Sequence, residues 1–303
     1  VRAAVPFGTE LVGATPHTIA AAVRRALGDP PPNPERIGSL TAADVARVTA
    51  EWAGFPWRLL PERPLSPAVN VALDEVHVDR VAGGGPPTLR FWGWDAPAVV
   101  IGRTQSVANE VDAAAADARG FRVVRRMTGG GAMVVQPGRT ITYSLVVPEA
   151  AVAGLSIRRS YEVCDAWVIL ALRSLGVDAH HVPVNDVACP AGKVGGAAQA
   201  RRKRVVLHHA TLAYDLDAAE MAAVLRIGRE RVSEKGTASA RKHVAPLAGL
   251  TPTPRDAVVR RLGEHFRRTY GGEADEPTGE ELASAGRLAA EKYDAPGWTA
   301  EFP

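Results

Sequence analysis

The chain predicts a protein built from strands and helices together. Three kinds of stretch carry that reading: β-branched runs of strand length such as Thr140 to Val147, amphipathic helices such as Tyr161 to Leu175, and glycine turns that interrupt strands. At 303 residues, with 46% hydrophobic and 23% charged residues, it has the composition of a globular protein and can bury a large core. No apolar run approaches the ~20 residues of a membrane-crossing helix, and the start lacks a secretory pattern, so a cytoplasmic protein with no membrane partner is expected. A chain beginning at Val1 is expected to have been processed or trimmed.

Taken in order, residues 1–54 read as a small helical appendage and residues 55–303 as the main domain. The appendage holds one amphipathic run after Thr15-Pro16, a stiff Asp29 to Pro34 linker, and a second run opened by Thr41 with Asp44 three residues later. Ser66-Pro67 caps a helix whose Val69, Leu73 and Val76 share a face, which reads as packing only. Leu89 to Trp92 and Ala98 to Ile101 read as short strands. Gln105 and Asn109 beyond them read, on their own, as surface residues. Gly176 stops the helix that starts at Tyr161, and that helix makes Cys164 a core residue. His180 and His181 have no third ligand at metal spacing. Val194 to Gln199 and Val205 to Tyr214 bracket the basic run Arg201 to Arg204, which reads either as a solvated hairpin tip or as a dock for an acidic carrier. Asp217 with Glu220 opens a helix. Lys235 to Lys242 has the composition of a loop that closes over a nucleotide or of a plain linker, and Thr253 and Thr278 start two final helices.

Two stretches carry the chemistry. In the first, the β-rich run Phe121 to Arg126 meets Gly129, Gly130 and Gly131 and resumes through Ala132 and Val134, a turn that lets a ligand lie against main-chain amides. In the second, Asn185 and Asp186 precede Cys189 and a lone Lys193 set among Gly192, Gly195 and Gly196, a way to hold one cation beside anionic groups. Adjacent strand residues face opposite ways, so only one of Arg125 and Arg126 can reach a ligand. Arg126 is the favoured one, as a fork for phosphate or carboxylate.

The run RRMTGGGAMVVQPGRTITYS resembles the RRxSGGGAV signature of lipoate-protein ligases, and NDVACPAGKVGGAAQARRKRVVLHHATL resembles their ND…GKK(I/V)xGxAQ…HG(T/S)L segment. NVALDE at Asn70, LRFWGWDAPAVVIGRTQSVANE at Leu89 and KYDAPGW at Lys292 extend the likeness from about Trp57 to Trp298. The resemblance, to the biotin/lipoate ligase and octanoyltransferase superfamily, implies an α+β fold, a mixed β-sheet flanked by helices as in the biotin/lipoate-ligase-like catalytic domain. It implies an ATP- and Mg²⁺-dependent ligase that turns lipoate or octanoate into acyl-AMP and passes the acyl group to a lysine. The acceptor would be a lipoyl carrier domain of a 2-oxoacid dehydrogenase or a glycine cleavage H-type protein. Lys193 then matches the essential lysine and His209 a site-supporting histidine. Asp186 would help hold Mg²⁺ or orient Lys193, Asn185 would bond adenine or phosphate, and Val134, Val194 and Trp92 would line an acyl tunnel.

Departures from the pattern keep other readings open. Val135-Gln136 and Arg139 replace the usual polar residues after the glycines, and with 55–303 as the catalytic domain the end shortly after KYDAPGW leaves three alternatives: an accessory part carried upstream, of which 1–54 would be a remnant, or as a separate protein; a ligase that works without one; or a non-ligase relative. The main alternative is an octanoyl or lipoyl transferase that uses a cysteine thioester and no ATP, for which Cys189 is the one candidate nucleophile. A non-catalytic acyl- or nucleotide-binding partner is a third. A formal charge of +3 excludes nothing but a case for nucleic acid.

Overall fold

The computed structural model describes residue 40, residues 42–227, residue 239 and residues 243–301. The first amphipathic run, the proline linker and most of the 235–242 stretch lie outside the described residues. The second run does form a helix, α1 (Ala42–Ala53), whose Val48 and Trp52 enter the main core beside Trp57 and Tyr270. Its described part therefore lies against the body of the protein.

A large mixed sheet runs through the molecule. Its strands are β1 (Arg58–Leu60), β2 (Pro64–Leu65), β3 (Thr88–Trp94), β7 (Thr140–Pro148), β8 (His180–Val182), β9 (Asp186–Cys189), β10 (Gly192–Arg202), β11 (Val205–Ala213) and β12 (Glu273–Ala274), in the order β12-β1-β3-β7-β11-β10-β9-β8, with β2 on β3. β1 is parallel to its neighbours, whereas the pairs from β3 through β8 are antiparallel. β10 and β11 form the expected hairpin, closed by Lys203 and Arg204 at positive φ. A second, three-stranded sheet has the order β5-β4-β6, from β4 (Ala98–Ile101), β5 (Arg122–Arg125) and β6 (Met133–Val135). The fold is thus α+β, as expected.

The central strands alternate between two apolar layers. On one face, α5 (Ile157–Ser174) and α7 (Arg255–Tyr270) pack Trp167, Phe266 and Tyr270 against Tyr143, Leu145 and Leu212. Ser156 caps α5 by accepting from the Arg159 amide, so the helix starts four residues earlier than the periodicity predicts. On the other face lie α2 (Pro67–Ala82) and α8 (Gly279–Leu288), the latter opened by a complete Thr278/Glu281 capping box. Cores of this size make single large-to-small substitutions cost about 2–5 kcal/mol. Among the described residues, no helix is long and apolar enough to cross a membrane.

Helix α2 departs from its reading as packing alone. Its buried side includes Asn70, Asp74, Glu75 and His77 together with Val71, Leu73 and Val78. Buried charge needs partners, and Asp74 has three: Arg90 at 2.8 Å, His209 Nδ1 at 2.9 Å and the Ser144 hydroxyl at 2.6 Å.

Candidate active site

The triple-glycine segment does not make a hairpin. β5 runs parallel to β4 and β6 antiparallel to it on the other side, so the chain between them crosses the end of β4. There it meets Gly102, where any side chain would overlap the Gly130 carbonyl. Gly130 has φ +86, a conformation that L side chains rarely adopt.

Arg126 holds this bend together. Its guanidinium donates to the carbonyls of Val100 (2.9 Å), Gly129 (2.5 Å) and Gly131 (2.9 Å), and to Thr128 Oγ1 at 2.9 Å. It is 4% exposed, and burial pulls its pKa down to about 10. The fork expected for a ligand anion is therefore committed to shaping the bend, because buried donors must be met from within. Arg125 points the other way, as alternation requires. It donates to the carbonyls of Gly102, Arg103, Gln105, Trp298 and Thr299 and so clamps the C-terminal segment to the same bend.

Behind Arg126, Thr128 Oγ1 lies 2.8 Å from His209 Nε2, and His209 Nδ1 lies 2.9 Å from Asp74. Burial lowers the His209 pKa against the opposing pull of Asp74. Burial would raise the Asp74 carboxyl, but Arg90 and His209 hold it below its ordinary value. With both ring nitrogens engaged, His209 supports the bend.

Across a cavity of about 560 Å³, β9 and β10 present the second segment. Lys193 Nζ meets Asp186 Oδ1 at 2.9 Å, with Asp186 buried and the lysine side chain 30% exposed. The register slips between Lys193 and Gly195, which turns the lysine into the cavity. Gly196 makes its room, since a Cβ there would sit 2.7 Å from the ammonium. Asn185 also lines the cavity and donates to the Ala197 carbonyl at 2.6 Å. From the other side come Gly130, Gly131, Ala132 and Val134, and Leu216, Met221, Leu225 and Ile227 add apolar wall. The structure thus brings together Lys193, Asp186, Asn185, Arg126, Gly130, Gly131, Ala132, Val134, Val194, Gly195, Gly196 and His209 around one space. Gly129 is not part of the lining, and neither is Trp92, which packs against Trp94 and donates to Ser144. Size and lining suit an acyl chain with a polar head.

Asp186 does not suit a magnesium ion. That ion asks for a near-octahedral set of oxygens, whereas one oxygen of this carboxylate already meets an ammonium. Among the described residues, no group of three His, Cys, Asp or Glu could hold a metal.

Cys189 does not face the cavity. It stands three residues after Asp186 on β9, hence on the opposite face, and is 6% exposed in the core with Val187 and Val194. The basic hairpin tip is paired: Arg201 with Glu149, Arg202 with Glu75 and Lys203 with Asp79.

Three site residues escaped the sequence reading. Gln105 is fully buried, not superficial; its Oε1 accepts from the Gly102 amide, and its Nε2 reaches Ser239 Oγ at 3.0 Å. Ser239 Oγ also accepts from the Ala132 amide at 2.8 Å, which places it on the glycine bend. Asp74 is the third. Its spacing from Asn70 and His77, four and three residues, was the available signal, since that is one face of a helix.

Comparison with known proteins fits this geometry. Residues 66–267 match the lipoyl protein ligase A/B catalytic domain. Octanoyltransferase LipM of Kyrpidia tusciae is 36% identical over 271 residues, which cover 80% of this chain and 97% of that protein. Seven further relatives from other bacteria bear the same name. Among solved structures, the bi-partite lipoate protein ligase of Thermoplasma acidophilum, described with its E2 lipoyl domain, has a TM-score of 0.69 and 28% identity and covers 82% of this chain and 97% of that one. A lipoate-protein ligase A bound with ATP has a TM-score of 0.68 and 29% identity, with 81% and 99% covered. The expected ATP-dependent ligase is corrected by the curated relatives, which are octanoyltransferases over nearly their full length. With Lys193, the glycine bend and the cavity between them all inside the matched span, the chain belongs to the lipoyl protein ligase A/B catalytic domain family.

Proposed function

We propose that this protein is an octanoyltransferase, moving an octanoyl group from a thioester donor to a lysine of a lipoyl carrier domain without ATP. The observation that carries the reading is the run of octanoyltransferase LipM relatives aligned across 80% of the chain, and the cavity agrees with it. The apolar wall from Leu216, Met221, Leu225 and Ile227 would take the alkyl chain, at roughly 0.8 kcal/mol for each methylene removed from water. Lys193 would face the thioester carbonyl oxygen, where negative charge develops as the carbonyl carbon becomes tetrahedral. Asp186 holds that ammonium in place, and the Asp74–His209–Thr128–Arg126 chain fixes the bend opposite it.

A thioester is already an activated acid, so a site of this kind needs no nucleotide. The test mixes purified protein, octanoyl carried as a thioester on an acyl carrier protein, and a lipoyl carrier domain, with no ATP. Intact-mass measurement should show one octanoyl group on the acceptor. Acylation that appears only with free octanoate and ATP would overturn the reading.

A further inference from the structure

We propose that Trp298, which does not line the cavity, is a positioning residue for acyl transfer: through Arg125 and Arg103 it holds the glycine bend in place opposite Lys193. Its effect on rate rests on the octanoyl-transfer reading.

Trp298 lies on the four-residue helix Pro296–Thr299, which has no buried residue. A helix that short has little stability of its own, so side-chain contacts must fasten it. The indole Nε1 donates to the Arg125 carbonyl at 2.8 Å. Two cations approach the ring, the Arg103 guanidinium at 4.4 Å and the Lys292 ammonium at 4.3 Å. Arg125 returns the bond, donating to the Trp298 carbonyl at 3.0 Å and to the Thr299 carbonyl at 2.6 Å. Arg103 is also paired with Glu301 at 2.7 Å.

These anchors share what they adjoin. Arg125 precedes Arg126 and binds the Gly102 and Gln105 carbonyls at 3.0 and 2.7 Å. Arg103 gives its amide to the Thr128 carbonyl at 2.7 Å. Lys292 and the Tyr293 hydroxyl each meet Glu75 at 2.6 Å, and Glu75 follows Asp74. The C-terminal segment thus grips three residues, each next to or bonded to a member of the Asp74–His209–Thr128–Arg126 chain.

The bend itself lies between β5 and β6, outside both strands, so sheet pairing does not hold it. A Cβ on Gly102 would stand 2.2 Å from the Gly130 carbonyl oxygen, and at such packing a shift of residues 102–105 passes to the bend. Displacing the bend by about 1 Å leaves the cavity open to an acyl chain but takes the reacting carbonyl out of line with Lys193. Turnover suffers and binding does not.

The test compares Trp298→Ala with Trp298→Phe, which keeps a ring beside both cations. Trp298→Ala should lower kcat about thirtyfold with KM for the octanoyl thioester within about twofold, and Trp298→Phe should return kcat to within about threefold of wild type. Glu301→Ala, at an exposed carboxylate, unfastens Arg103 alone and should lower kcat about threefold with KM unchanged. Amide hydrogen exchange without substrate should quicken about tenfold at residues 128–132 of Trp298→Ala and stay as in wild type on β7 and β11. Exchange that quickens only at 296–301, kcat per folded molecule unchanged in Trp298→Ala and Glu301→Ala, or equal damage from Ala and Phe would overturn the positioning role. Absence of any transfer by wild type from the thioester would instead overturn the octanoyl-transfer reading, and hydrogen exchange would still decide whether the bend depends on Trp298.

Discussion

His208 and His209 are neighbours on one strand, and each ends on a buried aspartate: His208 Nε2 on Asp165 at 2.8 Å and His209 Nδ1 on Asp74 at 2.9 Å. Because they alternate across the sheet, the two pairs sit in different layers. The His208 pair joins Tyr143 and Gln199 beneath α5, with His181 nearby and one Asp165 oxygen unmatched. The His209 pair reaches through Thr128 to Arg126 and the glycine bend. Side chain chemistry alone therefore does not assign a role. What does is the face of the strand and what the last member of each chain holds.

The sharpest departure between the layers is expected at the lysine that only one of them serves. Lys193→Ala should cut octanoyl transfer by roughly a thousandfold while leaving the fold intact, read from carrier acylation and circular dichroism. Transfer near the wild-type rate would remove the cation from the mechanism. Next comes the direct contrast. Asp74→Asn should cost about 3–5 kcal/mol, because Arg90 is left without its buried counter-charge, and should also lower turnover of the protein that remains folded. Asp165→Asn should cost about 1–3 kcal/mol with turnover per folded molecule unchanged. Equal losses of turnover in the two variants would erase the distinction between the faces.

Gly196→Ala should reduce transfer by about a hundredfold through displaced Lys193, with a small change in stability by denaturant melts. Acid should act on both layers. Burial pulls His77 down to about 3 and His265 to about 4, and lowers His181 and His209. The unfolded chain binds more protons than the folded one below the ordinary histidine range, so stability should fall as pH drops from ~6.5 toward ~4. Asp74, held low, contributes stability above the ordinary carboxylate range that is lost at still lower pH. A stability curve flat from pH 6.5 to 4 would contradict neutral buried imidazoles. The smallest effect belongs to the hairpin tip, where Lys203→Glu should change stability by no more than about 1 kcal/mol, since its partner Asp79 is half exposed.

The residues legible in the sequence were those whose backbone demands are visible as letters. Gly129 to Gly131 and the glycines around Lys193 announce close approach, and the β-branched run at Thr140 announces a buried strand. Asp74 was missed because counting apolar positions treats a carboxylate as solvent-facing, whereas its counter-charge, Arg90, comes from the next strand. Arg126 was given a ligand because its carbonyl partners lie in a bend that sequence does not draw. Ligase and transferase were not separable by motif either. On the proposed reading, the lysine and the glycine bend would serve any acyl group bearing a leaving group, and neither records which one.

The main chain of Lys193 donates to the His243 carbonyl at 2.9 Å and accepts from the Ala245 amide at 2.8 Å. At the point where the cation enters the cavity, the edge of β10 is thus already closed by the polypeptide itself. For the carrier acceptor proposed above, adding a strand at that point is therefore closed, and a lysine carried on the tip of a turn would be the form of substrate left to it.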